Sequence, residues 1–287
     1  MSSWKNATAP AGTTRGVLRP AAVEREAALH RDGAVSEVLR PFVERYWSVS
    51  WDRTGRPPFR SEVLSHPSVN LSVETGTHPR FGFQLPAVLV HGVVTRRFAV
   101  DLVGAGRVSA VKFRPGGFAA FTGVLPPSGS VSALGSELPL NPAVLLARVL
   151  SEADDEARSA VLGEALGPLA PEPSAAYLEL SGLLERMVDD RSLVRVEQLA
   201  VVGGLSVRTV QRLFRTFVGV SPKAVLARYR LQDAAALIDT GETDDLAGLA
   251  ASLGWFDQAH FSRDFRAVVG VTPSAYLRQA RALMSSS

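Results

Sequence analysis

Leu205-Ser206-Val207-Arg208-Thr209-Val210-Gln211-Arg212-Leu213-Phe214-Arg215, closing in Gly219-Val220-Ser221-Pro222, is answered 51 residues later by Phe256-Asp257-Gln258-Ala259-His260-Phe261-Ser262-Arg263-Asp264-Phe265-Arg266, closing in Gly270-Val271-Thr272-Pro273. Each stretch predicts the second helix of a helix-turn-helix. An amphipathic helix leads into it: Leu246, Leu249, Ala250 and Leu253 fall at the i, i+3, i+4, i+7 spacing of one buried face, and Val196, Leu199 and Ala200 take that role in the first copy. A glycine turn follows (Gly203-Gly204; Gly254), because the sharp angle between the helices needs backbone that a side chain would strain. Ser206 and Asp257 then cap the second helices by accepting from their first orphan amides. Val210, Phe214 and Phe217 form the apolar face of one, and Phe261, Phe265 and Val268 that of the other. Gly219 and Gly270 end these helices, while Ser221-Pro222 and Thr272-Pro273 supply a cap and a first-turn proline to the next ones.

The residues left facing outward point to nucleic acid. They are Val207, Arg208, Gln211, Arg212 and Arg215 in the first copy, and Gln258, Ala259, Ser262, Arg263 and Arg266 in the second, with His260 on the border. Arginine forks the major-groove edge of guanine, glutamine that of adenine, and serine bridges to phosphate or base. From Ser206 to Arg230 there are five arginines and one lysine with no acidic residue. A charged helix face is most often only solvated, but cap, turn, core and basic face are all duplicated here.

These residues, together with Leu199-Ala200, Arg230-Leu231, Gly254-Trp255 and Tyr276-Leu277-Arg278, resemble the DNA-binding domain of AraC-type (AraC/XylS) bacterial transcription regulators over roughly the last third of the chain. The resemblance implies two helix-turn-helix units joined by a long central helix, with both recognition helices in successive major-groove segments of one duplex, and RNA polymerase as a partner. Trp255 stands where the family usually has phenylalanine, and Asp264 sets a negative charge beside the basic face.

The chain has 287 residues, enough for two domains and a connector, and 46% apolar residues, enough for real cores. Its net charge is +3, and the segment from Ser192 to Arg281 holds eleven Lys/Arg against eight Asp/Glu, so the whole excess sits in the duplicated segment. Cysteine is absent, which removes disulfides, thiolate nucleophiles and zinc-thiolate sites. Met1-Ser2-Ser3-Trp4-Lys5 lacks the apolar core of a signal peptide, and no apolar run approaches the roughly 18 residues of a membrane span. A cytoplasmic protein with no membrane partner is expected.

Residues 1–35 mix Ser, Thr, Pro, Gly and Ala and are expected to form a flexible arm. Residues 36–140 change to short β-type runs, Arg45–Trp51, Ser68–Glu74, Ala87–Val90, Arg97–Val103 and Ser109–Phe113, separated by Gly and Pro. Such spacing predicts a barrel-like, cupin-like sensor domain and, with the helical remainder, an α+β fold. Gly104-Ala105-Gly106 lies between strands with no helix after it, so a hairpin turn is expected rather than a dinucleotide loop. Phe113-Arg114-Pro115-Gly116-Gly117-Phe118 resembles a signature in the β-rich amino-terminal regions of a subset of AraC-type regulators.

His30, His66, His78 and His91 fall in no metal-binding spacing, and no G-x-S-x-G elbow is present, so neither catalysis, a metal nor a cofactor is expected. A pocket for a small organic effector is the better expectation, and Tyr46, Trp47, Trp51, Phe81 and Phe83 are its candidate lining, though any one of them is equally a core residue. Residues 141–173 are read as a helical connector. Its helices Ala143–Leu150 and Asp155–Leu166 are the candidate homodimer contact, and Pro168–Pro173 the hinge. Residues 174–287 are the DNA-binding domain, opening on a helix whose Leu180, Leu183, Leu184 and Met187 form a stripe expected to be core. The expected function is a sequence-specific DNA-binding regulator controlled by a small molecule or partner. The alternatives are an architectural DNA protein without effector, or an enzyme carrying a DNA-targeting tail.

Overall fold

The computed structural model describes residues 16–30 and 34–284. Eight strands form two antiparallel sheets. The larger runs in the order β1 (Ala28–His30), β2 (Val43–Arg53), β7 (Gly104–Phe113), β4 (Asn70–Gly76), β5 (Ala87–His91), β8 (Val131–Ala133), and the smaller pairs β3 (Phe59–Val63) with β6 (Phe98–Leu102). The small sheet lies across one face of the large one, giving the barrel-like half of an α+β fold. Strand β7 shows why the large sheet holds: Val108 through Phe113 are all buried, as in a strand covered on both faces. Side-chain alternation sends Val111 and Phe113 toward the helices and Val108, Ala110 and Lys112 toward the small sheet.

The helical side of the large sheet carries α2 (Gly117–Thr122), α3 (Pro142–Ser151), α4 (Asp155–Leu166) and α5 (Ala175–Asp189). Their buried residues join Tyr46, Leu71, Val90 and Phe113 in one apolar core. That core continues without a break into the carboxyl-terminal half, through Leu199, Val210, Leu213, Phe214 and Tyr229. The α5 stripe of Leu180, Leu183, Leu184 and Met187 lies inside it, with Tyr177 stacked on Phe42 at 5.6 Å.

Three expectations need correction. Residues 16–30, expected within a loose arm, form α1 (Pro20–Glu24) and β1, and their sparse apolar side chains Val17, Leu18 and Val23 are all buried. The remainder of that arm, apart from residues 34–35, lies outside the described residues. Gly104-Ala105-Gly106 is not a hairpin turn: β6 and β7 belong to different sheets, and Gly104, at φ +57°, turns the chain from one to the other. Pro168–Pro173 does not divide the molecule into separate cores, since Leu166, Leu169 and Ala170 on either side of Gly167–Leu169 pack on the shared one. No helix among the described residues is long and apolar enough to cross a membrane.

Candidate nucleic-acid interface and cavity

The first unit consists of α6 (Val196–Gly203), a turn at Gly204 with φ +65°, and α7 (Val207–Leu213), prolonged by a π-helical turn Phe214–Val218. The second consists of α9 (Leu246–Ser252), a turn at Gly254 with φ +80°, and α10 (Gln258–Val269). Between them runs α8 (Pro222–Asp239), and α11 (Pro273–Met284) follows. Ser206 Oγ accepts from the Thr209 amide at 3.1 Å, Ser221 Oγ from Ala224 at 3.2 Å and Asp257 Oδ1 from His260 at 2.6 Å. Thr272 Oγ1 accepts from Ala275 at 3.2 Å.

The inner faces are Val210, Phe214 and Val218, and Phe261, Phe265 and Val269. The third contact thus falls one residue later than expected in each copy, on Val218 and Val269 rather than Phe217 and Val268. In the first copy the π turn frees Phe217 to pack on Tyr177 at 5.7 Å. The outer faces expose Arg208, Gln211, Arg212 and Arg215, and Gln258, Ala259, His260, Arg263 and Arg266, with Val207 and Ser262 half-buried. None of these five arginines is paired with a carboxylate among the described residues. An arginine left unpaired on a helix whose other side is core presents its donors to whatever approaches.

Two arginines counted toward the basic footprint do other work. Arg228 is buried on α8, donating from Nε to Ser65 O at 2.5 Å and from Nη2 to Arg96 O at 3.1 Å; burial lowers its pKa to about 10, still cationic at neutral pH. Arg230 lies over the Trp255 ring at 4.3 Å and donates to Gly254 O at 3.1 Å, closing the turn of the second unit. Asp264, rather than opposing phosphate, accepts from Trp255 Nε1 at 2.9 Å and sits 3.3 Å from His260 Nε2. Sequence reasoning passed over Phe256, which is 93% exposed just before the Asp257 cap. Its signal was available: an aromatic residue outside the apolar spacing, beside a recognition helix.

Between the two sheets lies a cavity of about 160 Å³. Trp47 and Phe81 line it. Tyr46, Trp51 and Phe83 do not: Tyr46 points to the helical core on the other face of β2, Trp51 is buried with Ala27, Leu102, Val108 and Ala110 and donates from Nε1 to Val103 O at 3.2 Å, and Phe83 lies outside the lining. Arg45, Lys112, Asn70 and His91 stand opposite one another across β2, β7, β4 and β5, so a polar row crosses the cavity wall. Glu44 pairs with Lys112 at 2.8 Å and with Arg45. Burial alone would raise the Glu44 carboxyl, but those two cations outweigh it and hold its pKa near 2. Glu74 receives Arg80 Nη1 at 2.8 Å, Ser72 Oγ at 2.9 Å and His91 Nε2 at 3.0 Å, and remains below its ordinary range despite burial. His66, stacked near Tyr229 of α8 at 4.7 Å, is pushed down to about 3 by burial and by Lys112, so it is neutral.

Comparison with known proteins separates the halves. Residues 199–279 match a family described as a helix-turn-helix domain, and residues 34–128 match a domain of unknown function, DUF6597. An uncharacterized HTH-type transcriptional regulator of Haemophilus influenzae is 35% identical over 81 residues, 28% of this chain and 27% of that protein. The RCS-specific HTH-type transcriptional activator RclR of Escherichia coli is 35% identical over 88 residues, 31% of each. The chain thus spans less than a third of the length of these curated relatives. A solved structure of a probable AraC family transcriptional regulator from Rhodopseudomonas palustris is 30% identical, covering 36% of this chain and 97% of that one, with a TM-score of 0.32.

Proposed function

We propose that the protein is a sequence-specific, DNA-binding transcriptional regulator of the AraC type acting in the cytoplasm, a reading supported by the match of residues 199–279 to a helix-turn-helix family. The observation that carries the reading is the pair of exposed faces at the same offset on α7 and α10, whose arginines have no carboxylate partner among the described residues. Helix α8, buried along most of its length, is the rigid spacer that sets the two recognition helices about 34 Å apart, one turn of the duplex. Arg212 and Arg263 sit mid-helix and read base edges with Gln211 and Ser262. Arg215 and Arg266, nearer the helix ends, hold phosphates, and Phe256 adds apolar contact at the groove wall. The cavity between the sheets supports control by a small-molecule effector. The outward side of α3, with Val144 and Leu150 exposed, is the contact for a second copy. RNA polymerase is the partner that a regulator of this type engages.

Selection of DNA sites by the full chain tests this. A selected site should bind on the order of a thousandfold or more tighter than a scrambled one at one salt concentration. Arg212→Ala should cost about 1–3 kcal/mol and relax preference at one base position. Arg266→Ala should weaken all sequences alike and flatten the salt slope by about one. A steep salt slope without a selected site would instead mean an architectural protein.

A further inference from the structure

The cavity carries a chemical signature beyond its existence. Arg80 is nine-tenths buried, its guanidinium standing 5.0 Å from the Trp51 ring and 5.2 Å from the Phe81 ring. Its Nη1 is taken by Glu74, while its buried Nε has no hydrogen-bond partner. A buried charged donor left without an acceptor costs on the order of 1–3 kcal/mol, so a ligand that supplies one is favoured there. Much of the rest of the wall is apolar, with Trp47, Val49, Phe81, Phe98 and Val100.

Phe81 strengthens the case. It holds a left-handed backbone, φ +51°, rare for a bulky residue, and that turn brings its ring against His91 at 5.2 Å and Phe98 at 5.7 Å. Strain of this kind persists where a side chain must be aimed, and here it is aimed at the cavity. About 160 Å³ is close to the roughly 150 Å³ of an apolar cavity that takes up benzene, which limits the ligand body to one ring or a short branched chain.

We propose that this cavity binds a small monocarboxylic acid, its carboxylate accepting from Arg80 Nε and its compact apolar body lying among Trp47, Phe81 and Phe98. The inference rests on the effector reading above and names the effector's class. A neutral amide of the same shape can still accept from Nε through its carbonyl oxygen but brings no negative charge to the guanidinium, so its bond is weaker, and a long-chain acid exceeds the space.

The test uses the full chain and three probes, cyclohexanecarboxylate, 3-methylbutanoate and hexadecanoate, with cyclohexanecarboxamide as the uncharged isostere, read by calorimetry and thermal unfolding. At least one of the two small acids should bind saturably, the amide should bind about tenfold or more weakly than its acid, and Arg80→Gln should erase that difference. Equal binding of acid and amide, binding of neither small acid, tighter binding of hexadecanoate, or a preference that survives Arg80→Gln would each overturn it. The acid–amide comparison needs no variant, so a misfolded Arg80→Gln protein leaves it decisive. Binding to the selected DNA site is measured alongside. DNA binding without acid binding defeats this inference alone, and acid binding without a selected site defeats the regulator reading alone.

Discussion

The two helix-turn-helix units share a pattern and differ in what holds them. Phe214 of the first unit belongs to a core that runs from the β-sheet through α3, α4 and α5, while Phe265 of the second belongs to a separate core of α8–α11 that, among the described residues, takes only Leu18 and Leu64 from the amino-terminal half. The second unit's other joints to that half are polar. The Arg97 amide donates to Val268 O at 2.9 Å, Gln232 donates to Leu64 O, and Arg19 reaches both Glu62 and Gln279. Water can replace such bonds at a net cost of about 1 kcal/mol each, whereas separating an apolar core exposes its whole area. The first unit is therefore built into the amino-terminal half, and the second is latched to it. Their outer faces differ too: at matched positions the first carries Arg208 and Gln211 where the second carries Ala259 and Ser262.

Truncating the equivalent phenylalanines separates the two cores most forcefully. Phe214→Ala and Phe265→Ala should each cost about 3–5 kcal/mol, both rings being fully buried. Their reach should differ. Loss of Phe265 should speed amide exchange in α9–α11 and leave β7 protected, whereas loss of Phe214 should deprotect α7, α5 and β7 together. If Phe265→Ala also loosens β7, the cores are not independent and the latch account is wrong.

A smaller effect sharpens the same contrast at the junction of the amino-terminal half and the first unit. In Phe113-Arg114-Pro115-Gly116-Gly117-Phe118, a Cβ on Gly117 would lie 2.3 Å from Phe42 O, and one on Gly116 would meet Leu180 at 2.8 Å and Phe217 at 3.1 Å. Arg114 Nε donates to Arg40 O at 2.8 Å, and Phe118 is buried. The motif is a packing joint, and its glycines are there for close approach. Gly117→Ala should cost about 2–3 kcal/mol, since backbone rather than a flexible side chain must yield. Urea unfolding gives the size. Exchange at α7 with α10 unaffected gives the direction, and an effect confined to α10 would contradict it.

The second unit was legible from sequence because its determinants are local: a cap, a turn glycine and apolar residues within one helix's reach. The first unit was legible to the same depth, but its π turn was not, since that widening answers to Tyr177 and α2 from distant stretches of the chain. Arg228 shows the limit plainly. Counted by charge it joins the basic footprint, yet it lies on a helix buried on nearly every side, and only the carbonyls of Ser65 and Arg96 reveal why. Residues 16–30 misled for the reverse reason, because Val17, Leu18 and Val23, scattered among polar and small residues, give no period, though all three are buried. The cavity followed the same rule. Aromatic composition pointed toward β2 and the stretch after β4, but which face each ring takes depends on strand register. Arg80, the residue that gives the site its chemistry, carried no signal without its neighbours.

The latch itself should respond to pH. Asp239, at the end of α8, accepts from Tyr276 Oη at 2.8 Å and from the Arg19 amide at 3.3 Å; burial raises its pKa from 3.8 to about 6, and those two donors and the Arg19 charge restrain the rise. A carboxyl whose pKa is higher folded than unfolded binds its proton more tightly in the native state. Its contribution is therefore full below about pH 4 and is lost as pH climbs through about 6. A rise from 3.8 to about 6 corresponds to a loss on the order of 3 kcal/mol. Asp233, raised to about 7 by burial, adds a loss of the same sign at slightly higher pH, while Glu44, held near 2, gives up its contribution only below about pH 4. Asp239→Asn should accordingly remove some of the decline between pH 4 and 7 and leave the remainder that Asp233 supplies. Chemical unfolding of both proteins across that range measures the difference. Parallel pH profiles would show that Asp239 does not titrate at the joint, and the second head would then be held by Leu18, Leu64 and the uncharged bonds alone.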